Sequence, residues 1–165
     1  MNLNSNGTTA YVAGALTGLK GKEATETKQF YIDIAEVCRK YGITAYLPHV
    51  QTDVTPRVGL LEKRHGFYHR KVANEINAVD KRAIRKSDLV VMYGTEPSGG
   101  TGIEQEYARV CEVPLIMMYK ADPKASRMVV GNQNKYLAVL FFKTFKEGLR
   151  KLDRALKRIK PALAN

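Results

Sequence analysis

The sequence predicts an α/β fold: a single domain with a mostly parallel five-stranded sheet flanked by helices, doubly wound in the flavodoxin/Rossmann-like manner. Short apolar runs bounded by turn residues are typical of buried parallel strands. Segments with an apolar stripe at helical spacing lie between them. This alternating order favours a parallel sheet with helices on both faces. The 165 residues, 44% of them hydrophobic, suit one domain with a sizeable core.

The apolar runs place the strands at residues 9–13, 43–47, 89–93, 113–118 and 136–142, although the last run could also begin a helix. Helices are expected at 23–41, with Gly42 as a stop, and over a stripe ending near Lys86. A further helix follows the glycine-rich segment 97–102. A basic C-terminal helix spans about 144–160, opened by a capping box of Thr144 and Glu147 and ended by Pro161.

The net charge of +11 is compatible with nucleic acid, an anionic membrane surface or an anionic small substrate as a partner. Eight Lys or Arg residues fall between residues 143 and 160, and a solvated helix face is the plainer interpretation of that run. No apolar run approaches the ~20 residues that span a bilayer, and the polar N-terminus lacks a signal-peptide pattern. The two isolated cysteines fit a reduced, cytoplasmic setting.

Several common sites are absent from the sequence. It lacks the GxxxxGK[ST] phosphate loop, the dinucleotide fingerprint and any metal-ligand spacing of His, Cys and Asp. His49, His65 and His69 are scattered, so a surface or structural role is the plainer interpretation of each from the sequence pattern alone. We therefore expect no metal and no cofactor.

Glu104 is the most informative carboxylate. It follows the glycine-rich segment beyond the third strand, and ligands of open α/β sheets bind outside the carboxyl ends of the strands. Its helix is expected to bury Ile103, Tyr107 and Val110, and small Ala108 leaves room on the side of Glu104. The alternative is that an acidic residue in the first turn only complements the helix dipole.

Two aspartates flank the third strand. Asp80 lies in the preceding helix beside Lys81 and Arg82, so a surface ion pair is its plainer interpretation. Asp88 begins the strand, at the end opposite to the expected site, and is interpreted as structural.

In four segments the chain resembles the nucleoside 2-deoxyribosyltransferase-like family, and within it the branch of 2'-deoxynucleoside 5'-monophosphate N-glycosidases (N-hydrolases). The first segment is Tyr11-Val12-Ala13-Gly14-Ala15-Leu16, and the second is Asp80 followed eight residues later by Asp88 and LVVM. The third is Ser98-Gly99-Gly100-Thr101-Gly102-Ile103-Glu104. The fourth, Ser126-Arg127-Met128-Val129-Val130-Gly131, is similar to a segment of the monophosphate branch.

The resemblance implies a reaction at an N-glycosidic bond. Glu104 would be the nucleophile that forms a covalent glycosyl ester, and Asp80 would help to protonate the departing base. Tyr11 would hydrogen-bond and orient Glu104, and would crowd a ribose 2'-hydroxyl. Water or a second base could then intercept the ester, which leaves a nucleotide N-hydrolase and a 2'-deoxyribosyltransferase as alternatives.

The resemblance also implies the substrate-binding residues and a homodimer. Ser98 stands where the transferases carry Asp, and its uncharged hydroxyl would favour a 5'-phosphate. Ser126 would reach the neighbouring subunit's site. Where the branch has a phosphate-binding Arg, this chain has Thr17, with Lys20 and Lys22 beyond it. The substrate-binding set is Gly14, Ala15, Leu16, Thr17, His49, Ser98, Gly100, Gly102, Ser126 and Met128.

Two further alternatives stay open. A cytokinin-type phosphoribohydrolase is suggested by the glycine-rich segment, although the spacing of Asp80 and Asp88 fits it less well. A non-enzymatic nucleotide or nucleic-acid binding module would instead use the basic C-terminal helix.

Overall fold

The computed structural model describes residues 7–16, 19–52, 70–96, 98–121 and 127–163. Within these ranges, five parallel strands form one sheet in the order β2-β1-β3-β4-β5. The strands are β1 (Thr8–Gly14), β2 (Ile43–Tyr46), β3 (Leu89–Tyr93), β4 (Leu115–Lys120) and β5 (Tyr136–Phe142). The helices are α1 (Gly21–Arg39), α2 (Pro48–Gln51), α3 (Arg70–Lys86), α4 (Gly99–Val110), α5 (Arg127–Val130) and α6 (Phe145–Leu163).

The predicted doubly wound architecture is confirmed, because the two faces of the sheet carry separate cores. Alternate residues along β1 divide between them, so Ala10 and Val12 face one core while Tyr11 and Ala13 face the other. The first core includes Phe30 of α1 and the second includes Ile84 of α3. Helices α1 and α6 therefore cover one face, and α3 and α4 cover the other.

The predicted strand bounds are exact for β3 and β5, while β4 starts two residues later than expected. The fifth apolar run is a strand, not the start of a helix. Gly42 ends the first helix with a φ of 73°, a left-handed conformation that glycine adopts without strain. Two short helices, α2 and α5, lie in segments that the sequence pattern left irregular.

The C-terminal helix needs two corrections. Thr144 caps the amide of Glu147 as predicted, but the Glu147 carboxylate accepts from the amide of Lys143 instead of that of Thr144. The helix also continues through Pro161 to Leu163. Proline lacks an amide donor and usually ends a helix, and here only two helical residues follow it.

Candidate active site

The candidate site lies where the strand order reverses, at the carboxyl ends of β1 and β3. The chain leaves β1 for β2 on one side, whereas β3 and β4 add on the other side. This reversal is the position at which open α/β sheets bind ligands. The segments that follow β1 and β3 therefore line the candidate site, together with the first turns of α4.

Tyr11 and Glu104 are joined directly at this position. Tyr11 is fully buried on β1, and its side chain faces α3 and α4. Its hydroxyl donates a hydrogen bond of 2.7 Å to Oε1 of Glu104. Burial, followed by the Glu104 carboxylate, raises the pKa of Tyr11 well above its usual range, so Tyr11 remains a donor.

Glu104 itself has a strongly perturbed ionisation. Burial raises its pKa to about 7, while the hydrogen bond from Tyr11 lowers that pKa and the nearby charge of Asp80 raises it. Perturbed carboxyls of this kind concentrate at functional sites. Glu104 is the sixth residue of α4, and the first turn holds no acidic residue, so complementing the helix dipole does not account for it.

Asp80 is half-buried on α3 and close enough for its charge to raise the pKa of both Glu104 and Tyr11. Its Oδ1 accepts a hydrogen bond of 3.1 Å from Thr52. Burial raises the pKa of Asp80 and the bond from Thr52 lowers it. Among the described residues no ion pair includes Asp80, and Lys81 lies over the ring of Tyr107 at 5.3 Å. The surface ion-pair interpretation therefore finds no support.

Asp88 has the structural role expected of it. It lies at the amino ends of the strands, opposite the candidate site, where its Oδ2 accepts hydrogen bonds from the amide and the hydroxyl of Thr9, at 2.8 and 3.0 Å. It thereby ties the start of β3 to the start of β1, away from the candidate site.

The glycine-rich segment does not precede its helix, as the sequence predicted, but forms the first turn of that helix. Gly99, Gly100 and Gly102 lie in the first turn of α4, and none of them has a positive φ. Ser98 caps the helix, and its Oγ accepts from the amide of Thr101 at 3.5 Å. A Cβ on Gly99 or Gly102 would meet open space, so these glycines leave the helix N-terminus uncovered. Of the first-turn amides, Thr101 and Gly102 already donate to Ser98, so those of Gly99 and Gly100 are the ones left for an anion.

The segment after β1 is held by Tyr31 of α1. A Cβ on Gly14 would lie 2.1 Å from the Tyr31 hydroxyl, so glycine is required here for close packing. That hydroxyl donates to the carbonyl of Ala15 at 3.0 Å. The ring of His49 lies 5.7 Å from that of Tyr31. His49 is half-buried, its Nε2 is buried and makes no hydrogen bond to a described residue, and burial lowers its pKa.

The apolar face predicted for the Glu104 helix is wrong. Ile103 and Val110 are 51% and 60% exposed, whereas the buried residues of α4 are Thr101, Gln105 and Ala108. The side of the helix that packs on the sheet therefore consists of polar and small residues. Glu104 lies on this same side, where it contacts Tyr11. Ile103 and Val110 instead line an outward groove of about 490 Å³, together with Met128, which is 87% exposed.

Tyr46, Thr52 and Gln105 were not identified from the sequence. Tyr46 stacks on Tyr11 with ring centroids 5.7 Å apart and its hydroxyl lies 2.7 Å from that of Thr52. One signal was available: the tripeptide Thr-Ala-Tyr occurs at 9–11 and again at 44–46, and the two copies are in register in the sheet. Gln105 is buried and donates to Val129 and Tyr136, which fixes α5 against α4.

Thr17 and Ser126 lie outside the described residues, as does most of the 50–71 connection. Across the described ranges, no three His, Cys, Asp or Glu side chains are grouped as a metal ion would require. In that same part of the chain, no helix is both long and apolar enough to cross a membrane. Cys38 and Cys111 are free thiols.

No family model matches the chain. A curated relative from Methanosarcina barkeri, "Putative 2'-deoxynucleoside 5'-phosphate N-hydrolase 1", is 37% identical over 127 residues, which cover 77% of this chain and 71% of the relative. A protein of the same name from Methanosarcina mazei is 29% identical over 142 residues, covering 86% of this chain and 79% of that one.

Two solved structures share the fold. The CMP N-glycosidase of Clostridium botulinum superimposes with a TM-score of 0.59 at 17% identity, over 88% of this chain and 99% of that one. The 2-deoxyribosyltransferase of Bacillus psychrosaccharolyticus gives a TM-score of 0.56 at 12% identity, over 85% and 89% of the two chains.

Proposed function

Because the chain belongs to the 2'-deoxynucleoside 5'-phosphate N-hydrolase family, we propose that it hydrolyses the N-glycosidic bond of (deoxy)nucleoside 5'-monophosphates. The products would be the free base and the sugar 5-phosphate. The observation that carries the proposal is the arrangement at the carboxyl ends of β1 and β3. There Tyr11 donates a hydrogen bond to Glu104, and the charge of Asp80 raises the pKa of both residues.

The proposed first step is a displacement at the anomeric carbon. A carboxylate oxygen of Glu104 bonds to that carbon, the C–N bond breaks, and its electron pair leaves with the base. Asp80 supplies the proton that the base takes up as it departs. Tyr11 donates to Oε1 and keeps the carboxylate oriented, which leaves Oε2 to attack.

The second step returns the enzyme to its starting state. Water adds to the anomeric carbon, the ester bond to Glu104 breaks, and Asp80, now a carboxylate, accepts a proton from that water. Together the two steps follow the two-carboxylate scheme of retaining glycosidases, applied to a C–N bond. A deoxyribosyltransferase would differ only in that a second base, in place of water, attacks the glycosyl ester.

The 5'-phosphate would bind at the start of α4. Ser98 keeps its hydroxyl proton available to donate, because its oxygen serves as the acceptor for Thr101. The amides of Gly99 and Gly100 at the exposed helix end and the positive end of the helix dipole favour the same anion. This chain has Thr17 where the branch has a phosphate-binding Arg. Lys22 pairs with Glu26 at 3.6 Å, so exposed Lys20 is the better candidate to replace that Arg.

We assign the sugar and base to the surrounding residues. Gly14, Ala15 and Leu16 would border the sugar, and His49, whose ring lies 5.7 Å from that of Tyr31, would contact the substrate there. Tyr11 would crowd a 2'-hydroxyl and so favour deoxyribose.

A homodimer forms part of the proposal. The groove lined by Ile103, Val110 and Met128 exposes apolar side chains side by side, which is typical of a surface that another protein covers. Ser126, the residue expected to reach the partner's site, lies two positions before Met128 in the sequence. Pairing two copies through this face would bury the apolar groove, and Ser126 would then contribute to the other active site, as the family resemblance implies.

A second candidate function is binding of nucleic acid by α6. Lys146, Arg150, Arg154, Lys157 and Arg158 are exposed on one side of this helix, opposite the buried Leu152 and Leu156. In the described part of the chain, Glu147 pairs with Lys151 and Asp153 with Lys40, so the ion pairs on this side do not involve those five cations. Such a face can bind phosphates through counterion release.

The central experiment is base release from a panel of nucleosides and nucleotides, in ribo and deoxy forms, followed by chromatography. We expect wild type to release base from a deoxynucleoside 5'-monophosphate, and Glu104→Ala to be slower by roughly a thousandfold or more. Glu106→Ala is the matched control, because Glu106 is exposed two positions along the same helix and pairs with Arg109. Base release by Glu104→Ala at the wild-type rate would refute the mechanism.

Adding a different free base separates the two chemistries. A hydrolase gives sugar 5-phosphate whatever base is present, whereas a transferase gives the exchanged nucleoside or nucleotide. Intact-protein mass spectrometry of a quenched reaction would show the glycosyl ester as an adduct that Glu104→Ala lacks.

A further inference from the structure

Two stacked tyrosines each lead to one of the two carboxyl groups. Tyr11 and Tyr46 occupy matched positions in the parallel pair of β1 and β2, and their rings are nearly parallel, with an interplanar angle of 12°. Tyr11 bonds to Glu104. Tyr46 bonds to Thr52, which bonds to Asp80, so the second tyrosine reaches its carboxyl through one intervening hydroxyl.

The direction of the second chain follows from counting donors. A threonine hydroxyl has one proton, and the bond to Asp80 is 3.1 Å from Thr52 Oγ1 to Oδ1. When Asp80 is a carboxylate it can only accept, so Thr52 directs its proton towards Asp80. The 2.7 Å contact with Tyr46 must then be donated by the tyrosine, and Thr52 accepts it.

From this chain we propose that Thr52 and Tyr46 are positioning residues for the general acid Asp80, with Thr52 occupying Oδ1 so that the transferable proton is carried on Oδ2. The inference rests on the proposed function, in which Asp80 protonates the departing base. When Asp80 gives up that proton, the resulting carboxylate retains the hydrogen bond from Thr52. No atom is gained or lost in the chain itself, because Thr52 and Tyr46 keep their protons throughout.

The geometry explains why such support is placed here. Asp80 is half-buried on α3 and interacts electrostatically with Glu104 of α4 and Tyr11 of β1, while Tyr46 of β2 reaches it only through Thr52. Glu104 and Asp80 are like charges when both are ionised, which disfavours the carboxylate that proton donation creates. The bond from Thr52 opposes this effect, because it lowers the pKa of Asp80. Tyr46 fixes the Thr52 hydroxyl so that this bond is maintained.

The test compares Thr52→Val, which removes the hydroxyl with little change of shape, with Thr52→Ser, which retains it. The first measurement is the carboxyl ¹³C titration of Asp80, assigned by the loss of its signal in Asp80→Asn. We expect Thr52→Val and, less strongly, Tyr46→Phe to raise the pKa of Asp80, and Thr52→Ser to leave it at the wild-type value. An unchanged titration in Thr52→Val would overturn the inference whether or not the protein is active.

The second measurement is the pH dependence of kcat. Activity requires protonated Asp80, so the alkaline fall in kcat should move to higher pH in Thr52→Val, and its plateau should drop roughly tenfold because the nascent carboxylate loses a donor. A purely structural role would lower stability without moving this limb. If the titration shifts and the limb does not, Asp80 is not the general acid, and the proposed mechanism fails while the hydrogen-bond chain stands.

Discussion

Tyr11 and Glu104 lie 93 positions apart in the chain and meet in a hydrogen bond of 2.7 Å. The tyrosine belongs to the central part of the sheet, and the glutamate belongs to the second turn of the helix that follows β3. Because Tyr11 is fully buried and held by β2 and β3 on either side, it fixes the glutamate relative to the sheet. The pair is therefore a rigid reference point for the rest of the site.

Replacing Tyr11 by Phe removes the donor and retains the ring. The hydrogen bond from Tyr11 lowers the pKa of Glu104, so its loss should raise that pKa above about 7. Since Glu104 must be ionised to act as the proposed nucleophile, the acid limb of kcat should move to higher pH, and kcat at neutral pH should fall on the order of tenfold to a hundredfold. An acid limb at the wild-type position would show that Tyr11 does not act on Glu104.

Wild-type activity should itself depend on pH through Glu104. Burial raises the pKa of this carboxyl to about 7, so the nucleophilic form increases as pH rises through that value. We expect kcat/KM to fall below about pH 7 for the free enzyme. The measurement is a pH–rate profile with a deoxynucleoside monophosphate at constant ionic strength. A flat profile between pH 5 and 8 would contradict the assignment.

Glu104→Gln should stabilise the protein at alkaline pH while abolishing base release. The folded-state pKa is raised, so the native state is favoured while Glu104 is protonated, and this stability is lost as pH rises through about 7. Gln is neutral and can still accept from Tyr11. At pH 8 the free energy of unfolding should increase by on the order of 2–3 kcal/mol, with little change at pH 4. Denaturant unfolding at the two pH values measures this difference.

Asp80 and Asp88 form a contrasting pair for mutagenesis. Asp88→Ala removes the acceptor for the Thr9 amide and hydroxyl, so it should destabilise the fold by about 1–2 kcal/mol with kcat retained. Asp80→Asn should lower kcat with little effect on stability, because Asn cannot donate a carboxylic proton to the base. Thermal melts and initial rates on the two variants separate the roles. A loss of kcat in Asp88→Ala that exceeds its loss of folded protein would contradict them.

Introducing charge into the outward groove should dissociate the proposed dimer. Ile103→Glu combined with Val110→Lys places charged groups where two copies would exclude water, and sedimentation velocity should then report a monomer. If the partner's 126–128 segment completes the site, kcat/KM should fall with it. A wild-type protein that sediments as a monomer would refute the dimer directly.

Nucleic-acid binding by α6 is tested by salt. Binding to a polynucleotide should weaken steeply between low and physiological salt, and Arg150→Glu with Arg154→Glu should abolish it while base release is unchanged. Salt-insensitive binding, or no binding, would identify the basic face as solvated surface. These positions lie away from the residues proposed to contact substrate, so the two functions can be scored separately.

The parallel sheet and its five strands follow from the alternation of apolar runs with helical stripes and are accessible from sequence. The bounds of β3 are exact for that reason, since every residue from Leu89 to Tyr93 is buried. The buried face of α4 was not accessible from periodicity, because that helix turns Gln105 and Thr101 inwards and Ile103 outwards. A prediction from periodicity assumes that the polar side of a helix faces water. In α4 the polar side faces the candidate site and the apolar side lines an exposed groove, so the prediction is reversed.

Thr52 could not be found from spacing either. It joins the site through hydrogen bonds to Tyr46 and Asp80, which come from different segments and meet only in the folded sheet. The repeated Thr-Ala-Tyr tripeptide was readable, but its meaning depends on the register of β1 against β2.

The placement of β1 between β2 and β3 has a consequence for biosynthesis. As the chain emerges from the ribosome, β1 and β2 can pair early, but the other edge of β1 waits until residues 89–93 have been made. During that interval an apolar strand edge is unprotected, and a chaperone or a second nascent chain can occupy it. Translation speed across residues 53–88 would therefore affect the yield of folded protein without changing a single contact of the finished molecule.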